Sequence, residues 1–135
     1  MERFVFILLL LLLVFSSHAN DNPGVGGSVI AMAGKGCVAL GVDKRFGIGG
    51  QLVGCGGPRV VRVNSRLLLG LSGLETDLMT LMEEVRAMET LRRVRGLAAL
   101  DPAPFAGGLS ALLYRKRYYL QPVVAGLTPT RGQGQ

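Results

Sequence analysis

Histidine, the side chain that hydrolases use most often for proton transfer, occurs only once in the sequence. His18 lies behind an apolar run at residues 4–15, in a segment typical of a signal peptide, so a processed chain contains no imidazole. Ser–His–Asp, Cys–His and His-Glu-x-x-His chemistries are therefore excluded together. One hydrolytic route needs no histidine: a processed N-terminal Thr, Ser or Cys uses its own α-amino group as base, with a lysine and an oxyanion-binding N–H nearby.

The glycine clusters have the composition of phosphate-binding loops but not their spacing. A Walker-type loop requires a glycine upstream of its Gly-Lys pair and a Ser or Thr after the lysine, and a dinucleotide-type loop requires a third glycine. The residues that break these patterns are Val29 and Gly36 around Gly34-Lys35, and Leu52 and Arg59 after the two Gly-x-Gly pairs. We therefore predict that the protein uses no nucleotide or other cofactor.

The two cysteines also lack the spacing of a metal site. Cys37 and Cys55 form no Cys-x-x-Cys pair, and histidine ligands are almost absent, so we predict no metal centre. Cys37 opens an apolar run, in which a free cysteine is expected to be a small buried hydrophobe. The absence of a disulfide framework favours a reducing compartment.

The segments that would position any site begin with strands. Two apolar segments flank a three-residue, glycine-bounded turn and predict an opening β-hairpin. A glycine-rich stretch follows, which we interpret as a loop with one short strand, and further apolar segments then predict three more strands. The predicted strands are 28–33, 37–43, 51–53, 59–64, 66–71 and 121–127, with the turn at 34–36 and the loop at 47–57.

Two consecutive helices are predicted between the last two strands. From Leu78 to Val94 apolar residues recur at steps of three and four, which lays one apolar stripe along a helix that Thr76 caps and Gly96 ends. Asp101-Pro102 then opens a second helix that reaches about Arg117. Strands, two helices and another strand indicate an α+β fold with an antiparallel sheet and both helices on one side.

Composition divides the chain into four parts. Residues 1–19 form a hydrophobic, signal-like leader, 20–26 a polar spacer, 27–127 the folded domain and 128–135 a polar tail. The net charge of +6 raises the question of a nucleic-acid partner, but the basic residues fall on predicted helices with little aromatic interleaving. We therefore predict no nucleic-acid partner, and a membrane partner only if the leader is retained.

Three separated motifs in the chain resemble those of proteasome β-type subunits. The opening GGSVIAMAGKGCVALGVDKRFGI places Asp43 after a strand rich in small residues, and Arg59 follows sixteen positions later. Further along stands Gly73-Leu74-Glu75-Thr76-Asp77, which matches the family's Gly-x-x-small-Asp element. The resemblance covers residues 26–127, about the first half of the family's domain.

The resemblance implies a four-layer αββα sandwich of the N-terminal nucleophile hydrolase type. In such a sandwich two antiparallel sheets face each other and helices cover both outer faces. This chain supplies one helical layer and about one sheet of strands, so we expect an incomplete sandwich, cut short, with sheet edges and an apolar face exposed.

The resemblance also assigns positions in the family's active site. Gly27 stands where active members carry the nucleophilic Thr, and Arg59 stands at the lysine position, where it keeps the charge but does not readily deprotonate. Asp43 and the oxyanion-hole glycine, Gly73, are retained. A structural interpretation of both is equally open: Asp43 pairs with Arg59 or caps a turn, and Gly73 permits a tight strand-to-helix turn.

These substitutions predict a vestigial site with no catalytic residue. The implied function is that of a non-catalytic structural subunit, which contacts other α- and β-type subunits in a hetero-oligomeric ring and contributes to ubiquitin-dependent protein degradation in cytoplasm and nucleus. One alternative is an N-terminal nucleophile peptidase that exposes Ser28 by cleavage after Gly27. The other is a non-functional truncated fragment that residues 1–19 send into the secretory pathway.

Overall fold

The computed structural model of the chain describes residues 25–48, 51–55 and 57–128. The predicted leader, most of the spacer and nearly all of the polar tail lie outside these residues. The predictions made for those segments therefore stay predictions.

The described residues form eight strands and two helices, and all strand pairs are antiparallel. The two helices follow one another between the last two strands, as predicted. In chain order the elements are β1 Val25–Gly26, β2 Val29–Gly34, β3 Cys37–Val42, β4 Arg45–Ile48, β5 Gln51–Cys55, β6 Val60–Asn64, β7 Leu67–Leu74, α1 Glu75–Val94, α2 Pro102–Lys116 and β8 Leu120–Gly126.

Strand β7 is the centre of the main sheet. It pairs with β8 along one side and with β6 and then β1 along the other, which gives a four-stranded sheet. Its sequence, LLLGLSGL, is almost continuously apolar because both faces of the strand are covered. Two separate hairpins, β2–β3 and β4–β5, complete the strand inventory of the described residues.

The hydrophobic core lies between the main sheet and the two helices. Alternate residues of β7 point to the same face, and there they meet the apolar stripe of α1 and the inner side of α2. The most completely buried side chains, each at most 1% exposed, are Leu67, Leu69, Leu71, Leu78 and Leu81. Each contributes about 1.5–3 kcal/mol through burial, so this layer contact is the main source of stability.

Hairpin β2–β3 covers the opposite face of the sheet. A Cβ on Gly70 would lie 2.7 Å from both Leu40 Cδ2 and Val29 Cγ1, so the hairpin approaches β7 at a point where only glycine leaves room. The outward face of the same hairpin carries Ile30 and Met32, which are 62% and 68% exposed. The layer order is thus helices, sheet, hairpin, which confirms the predicted α+β class with both helices on one side.

Helix α1 differs from its prediction in its N-cap residue and in how far its apolar stripe stays buried. The helix begins at Glu75 with Leu74 as N-cap, so the cap predicted at Thr76 is wrong. The Leu74 N–H donates to the Tyr119 carbonyl at 2.9 Å, and this tertiary tie leads β7 directly into the helix. Past its middle the stripe leaves the core, and Val94 is 78% exposed. The predicted stop is confirmed, since Gly96 follows the helix at φ +67°.

The strand predictions need four corrections. Gly34 pairs with Cys37, so the first turn contains two residues, with Gly36 at φ +73°, where three were predicted. Strand β4 occupies part of a predicted loop, because its pairing with β5 is not visible in a glycine-rich sequence. Strand β1 lies within the predicted spacer, where it pairs with β7. Cys37 is exposed rather than buried, since it lies on the outward face of its hairpin.

Neither helix in the described part of the chain is both long enough and apolar enough to cross a membrane.

Candidate functional site

Arg59 is the centre of the site that the motifs predict. It directly precedes β6 and is only 3% exposed, although it carries a full positive charge. Its Nη1 donates to the Gly26 carbonyl at 3.3 Å and to Asp43 Oδ1 at 3.2 Å. Its Nη2 donates to the Arg45 carbonyl at 3.1 Å and to Glu75 Oε2 at 3.2 Å. The guanidinium therefore connects β1, the end of the β2–β3 hairpin, β4 and the first turn of α1.

Asp43 lies between β3 and β4 and joins the hairpin to this arginine. Its Oδ1 accepts from Arg59 and also from the Ser28 N–H at 2.9 Å. The Asp43 N–H in turn donates to the Ser28 carbonyl at 3.1 Å. Of the two structural roles left open for Asp43, the structure shows the pairing with Arg59; in place of a turn cap, Asp43 closes the open end of the hairpin.

Gly27 borders the guanidinium directly. A Cβ on this residue would collide with Arg59 Nη1 and would lie 3.2 Å from both Arg59 Cζ and Asp43 Oδ1. The backbone of Gly27 is also at φ +113°, a conformation that L side chains rarely adopt. The volume into which a side chain at residue 27 would project is therefore filled by the side chain of Arg59.

Gly73 lies next to these residues, because it pairs with Gly26 across the β1–β7 ladder. At φ +131°, a Cβ on Gly73 would stand 2.5 Å from the Tyr119 carbonyl oxygen and 2.6 Å from Leu120 Cα. Both neighbours are backbone atoms and have little freedom to move. The glycine is thus required by the strand-to-helix turn itself, as the structural interpretation predicts. The structure brings all four predicted positions together.

The turn before β8 holds the other side of the site. The Tyr119 N–H donates to Asp77 Oδ2 at 2.7 Å, and the Tyr118 hydroxyl donates to Glu84 Oε1 at 2.9 Å. Burial and the hydrogen bond to Glu84 raise the pKa of Tyr118 above its ordinary value. Both contacts fasten this turn to α1, and so they fix the backbone against which Gly73 packs.

Several partners of Arg59 were missed by sequence reasoning. Glu75 stands inside the motif that ends at Asp77, but no role was predicted for it. A buried guanidinium needs several acceptors, and an acidic residue in the first helical turn beside the motif glycine was the available signal. The carbonyls of Gly26 and Arg45 offered no such signal, since a backbone acceptor is independent of residue type.

The electrostatics of the site are those of a structural ion-pair cluster. One guanidinium lies between two carboxylates, and the Asp43 and Glu75 side chains are 38% and 18% exposed. Within residues 25–48, 51–55 and 57–128, no three His, Cys, Asp or Glu side chains form a group that could hold a metal ion. Cys37 and Cys55 are free thiols. The arrangement can hold backbone segments together, and the four acceptors occupy both terminal nitrogens of Arg59.

Comparison with known proteins identifies the family. The family model described as "Proteasome subunit" matches residues 25–134. The chain is similar to proteasome subunit beta type-3 of Drosophila melanogaster, at 40% identity over 107 residues, which are 77% of this chain and 52% of that protein. It is also similar to beta type-3 of Oryza sativa subsp. japonica, at 42% over 105 residues, with 76% and 52% covered. The match to beta type-3 of Dictyostelium discoideum is 37% over 105 residues, with 76% and 51% covered.

The chain thus spans about half the length of the curated relatives it matches. The family match covers most of the chain and includes every residue of the Arg59 site, from Gly26 to Gly73 and Glu75. The chain therefore belongs to the proteasome subunit family, as its motifs at Asp43, Arg59 and Gly73 predict.

Proposed function

We propose that the chain is a non-catalytic β-type subunit of the proteasome core particle. In this role it contributes surfaces to ring assembly, and thereby to ubiquitin-dependent protein degradation, and its partners are other α- and β-type subunits. The relatives' names support the assignment to the type-3 position. The observation that best supports a non-catalytic role is that the Arg59 guanidinium fills the space beside Gly27.

Two features of residue 27 argue against peptide-bond cleavage there. Gly27 has no side-chain oxygen, so the atom that would attack the substrate is missing. A threonine at this position would also meet Arg59 Nη1, which the Gly26 carbonyl and Asp43 Oδ1 hold in place. Arginine stays protonated and so cannot replace the family's lysine in proton transfer. The site would have to change at both positions to regain the family's chemistry.

The position of Ser28 argues against the alternative in which its own α-amino group serves as the base. Its backbone nitrogen lies 2.9 Å from Asp43 Oδ1. If the peptide bond after Gly27 were cut, the new α-amino group would face this carboxylate, which favours the protonated amine. A protonated amine cannot accept the hydroxyl proton, so cleavage alone would not activate Ser28.

Co-expression in a proteasome-proficient cell tests the assembly role. A C-terminally tagged chain should co-purify with α- and β-type subunits in a particle of core-particle size. Recovery of the chain only as a free species, with no other subunit bound, would contradict the proposal.

A covalent inhibitor tests the absence of catalysis separately. Mass spectrometry of the isolated chain should find no adduct of a threonine-directed inhibitor on any residue. Ser28→Ala, compared with the exposed Ser110→Ala as matched control, should leave the peptidase activity of the assembled particle unchanged. An adduct on Ser28, or activity lost in Ser28→Ala alone, would contradict a non-catalytic role.

The proposed location is cytoplasm and nucleus. Membership of the family and the free thiols of Cys37 and Cys55 support this compartment. Fractionation of cells that express the C-terminally tagged chain is the test. Recovery from the culture medium of a chain that begins at Asn20 would instead show that residues 1–19 direct secretion.

A further inference from the structure

Strand β6 forms a free edge of the main sheet. Within the described residues it pairs with β7 on one side, and no strand pairs with its other side. An unpaired edge presents a row of backbone N–H and C=O groups that can pair with a strand from another chain. The edge is therefore a surface whose backbone chemistry suits an extended peptide.

A small pocket separates this edge from helix α1 and is rich in arginine. It has a volume of about 170 Å³ and is lined by β6 and by the second half of the helix. Arg62 of β6 and Arg86 and Arg93 of α1 all line it, and all three are exposed. We refer to these three residues as the edge arginines.

The edge arginines are not neutralised by the residues that the structure describes. None of the three makes an ion pair or a side-chain hydrogen bond there, in contrast to Arg59 and Arg66. Glu89 is the acidic residue in the lining, and its Oε2 is buried without a hydrogen-bond partner. Three positive side chains against one negative side chain leave the pocket with a surplus of positive charge.

We propose that the free edge of β6 and the edge arginines bind an extended, acidic segment of a partner protein. The segment adds as a strand to β6 through main-chain hydrogen bonds. Its carboxylates on the α1 side of the added strand face Arg86 and Arg93, and a carboxylate on the opposite side faces Arg62, because neighbouring residues of β6 point to opposite faces of the sheet. Guanidinium groups bind carboxylates in a planar, two-donor geometry. Val61 and Val63, also in the lining, are buried against α1 and form the apolar wall of the pocket.

This chemistry fits an acidic peptide better than a nucleic acid. No aromatic side chain lines the pocket to stack on bases, and Glu89 would face the phosphates. A phosphate backbone offers acceptors but no N–H donors, so it would leave the edge carbonyls of β6 unpaired, whereas an added strand pairs both the N–H and the C=O groups. The inference is independent of whether the site around Gly27 is active.

A fluorescent peptide of alternating valine and glutamate is the probe, and its anisotropy with the full chain measures binding. Arg86→Glu/Arg93→Glu should weaken binding at least about 10-fold, because two attractive contacts become repulsive. Arg115→Glu/Lys116→Glu makes the same charge change at the end of α2 and should weaken it less than about 2-fold. A central proline in the probe should also abolish binding, because it removes a backbone N–H.

The remaining outcomes overturn the proposal. Absence of binding, equal weakening by the two double variants, or undiminished binding of the proline peptide would each show that no edge pairing occurs. Tighter binding of single-stranded DNA of the same charge would indicate a nucleic-acid surface instead. If the chain self-associates through the outer face of its first hairpin, the measurements are made in an Ile30→Thr/Met32→Thr background, and circular dichroism confirms that each variant is folded.

Discussion

Replacement of Gly27 by alanine should destabilise the protein strongly, because the new methyl group and Arg59 need the same space. The Cβ would collide with Nη1, a tightly bound atom rather than the loose end of a surface side chain. The substitution also places a side chain at φ +113°. Two separate costs therefore add, one of backbone strain and one of displacing the guanidinium.

The size of each cost follows from the geometry. Backbone strain at such a position costs about 1–3 kcal/mol. Breaking a buried ion pair costs roughly 3–5 kcal/mol, and we take the lower end because Asp43 is more than a third exposed. The sum of about 4–6 kcal/mol is a large part of the roughly 5–15 kcal/mol that stabilises a typical domain.

Gly26→Ala is the matched control for this experiment. Gly26 has φ +139°, but a Cβ there would have no atom within 4 Å, so its substitution introduces strain without collision. We expect Gly26→Ala to cost about 1–3 kcal/mol. Urea unfolding, followed by circular dichroism, gives the free energy of unfolding for each variant.

A double-mutant cycle separates the collision from the strain. In an Arg59→Ala background the guanidinium is gone, so Gly27→Ala should cost only the strain, about 1–3 kcal/mol. The coupling between positions 27 and 59 should then be about 3 kcal/mol. If the free-energy changes of the two single variants add to that of the double variant within about 0.5 kcal/mol, the two side chains do not compete for one volume. Our explanation that Arg59 fills the space beside residue 27 would then be wrong.

Four further variants test other parts of the structure. Gly73→Ala should destabilise the chain by about 2–4 kcal/mol, because it adds backbone strain and a collision with backbone atoms. Gly107→Ala, which lies in open space on α2, should instead stabilise it by about 0.5–1 kcal/mol. Thermal unfolding of both variants measures the difference. The raised pKa of Tyr118 means that its contribution to stability is complete below pH 10.0 and is lost as pH rises through the raised value. Tyr118→Phe should therefore flatten the alkaline decline in denaturant midpoint, and an unchanged decline would refute the role of the hydroxyl. Ile30→Thr/Met32→Thr should reduce binding of a hydrophobic dye while leaving the denaturant midpoint nearly unchanged, since both side chains point outward.

Local periodicity made the helices and the main strands predictable. The stripe that starts at Leu78 and the Asp101-Pro102 pair specify two helices without knowledge of the rest of the fold. The strand at 51–53 was predicted and lies within β5, but β4 and its pairing with β5 were missed because the segment contains many glycines and few alternating apolar residues. The exact start of α1 was missed for a similar reason, since the Tyr119 carbonyl, far along the chain, fixes Leu74.

The site was predictable as a set of positions but not as a set of contacts. The family's spacing brought Asp43, Arg59 and Gly73 into one prediction, and the structure places them together beside Gly27. The contacts of Arg59 with two backbone carbonyls carry no signal in residue types, and Glu75 was outside the roles that the motif implies. A motif therefore predicts which residues form a site better than it predicts their hydrogen-bond partners.

On the predicted assignment of Gly27 to the family's nucleophile position, the pair formed by Gly27 and Arg59 would make loss of the nucleophile hard to reverse by a single substitution. With arginine at 59, its guanidinium reaches across to the Gly26 carbonyl and uses the space that a side chain at 27 would need. With glycine at 27, that space is open, and the arginine can bind four acceptors and fasten four segments of the fold. Each residue makes the other favourable, so restoring threonine alone would cost stability before it gave any activity. Only Gly27→Thr together with Arg59→Lys, which shortens the donor array to one ammonium group, would relieve the collision and return a titratable amine to the site.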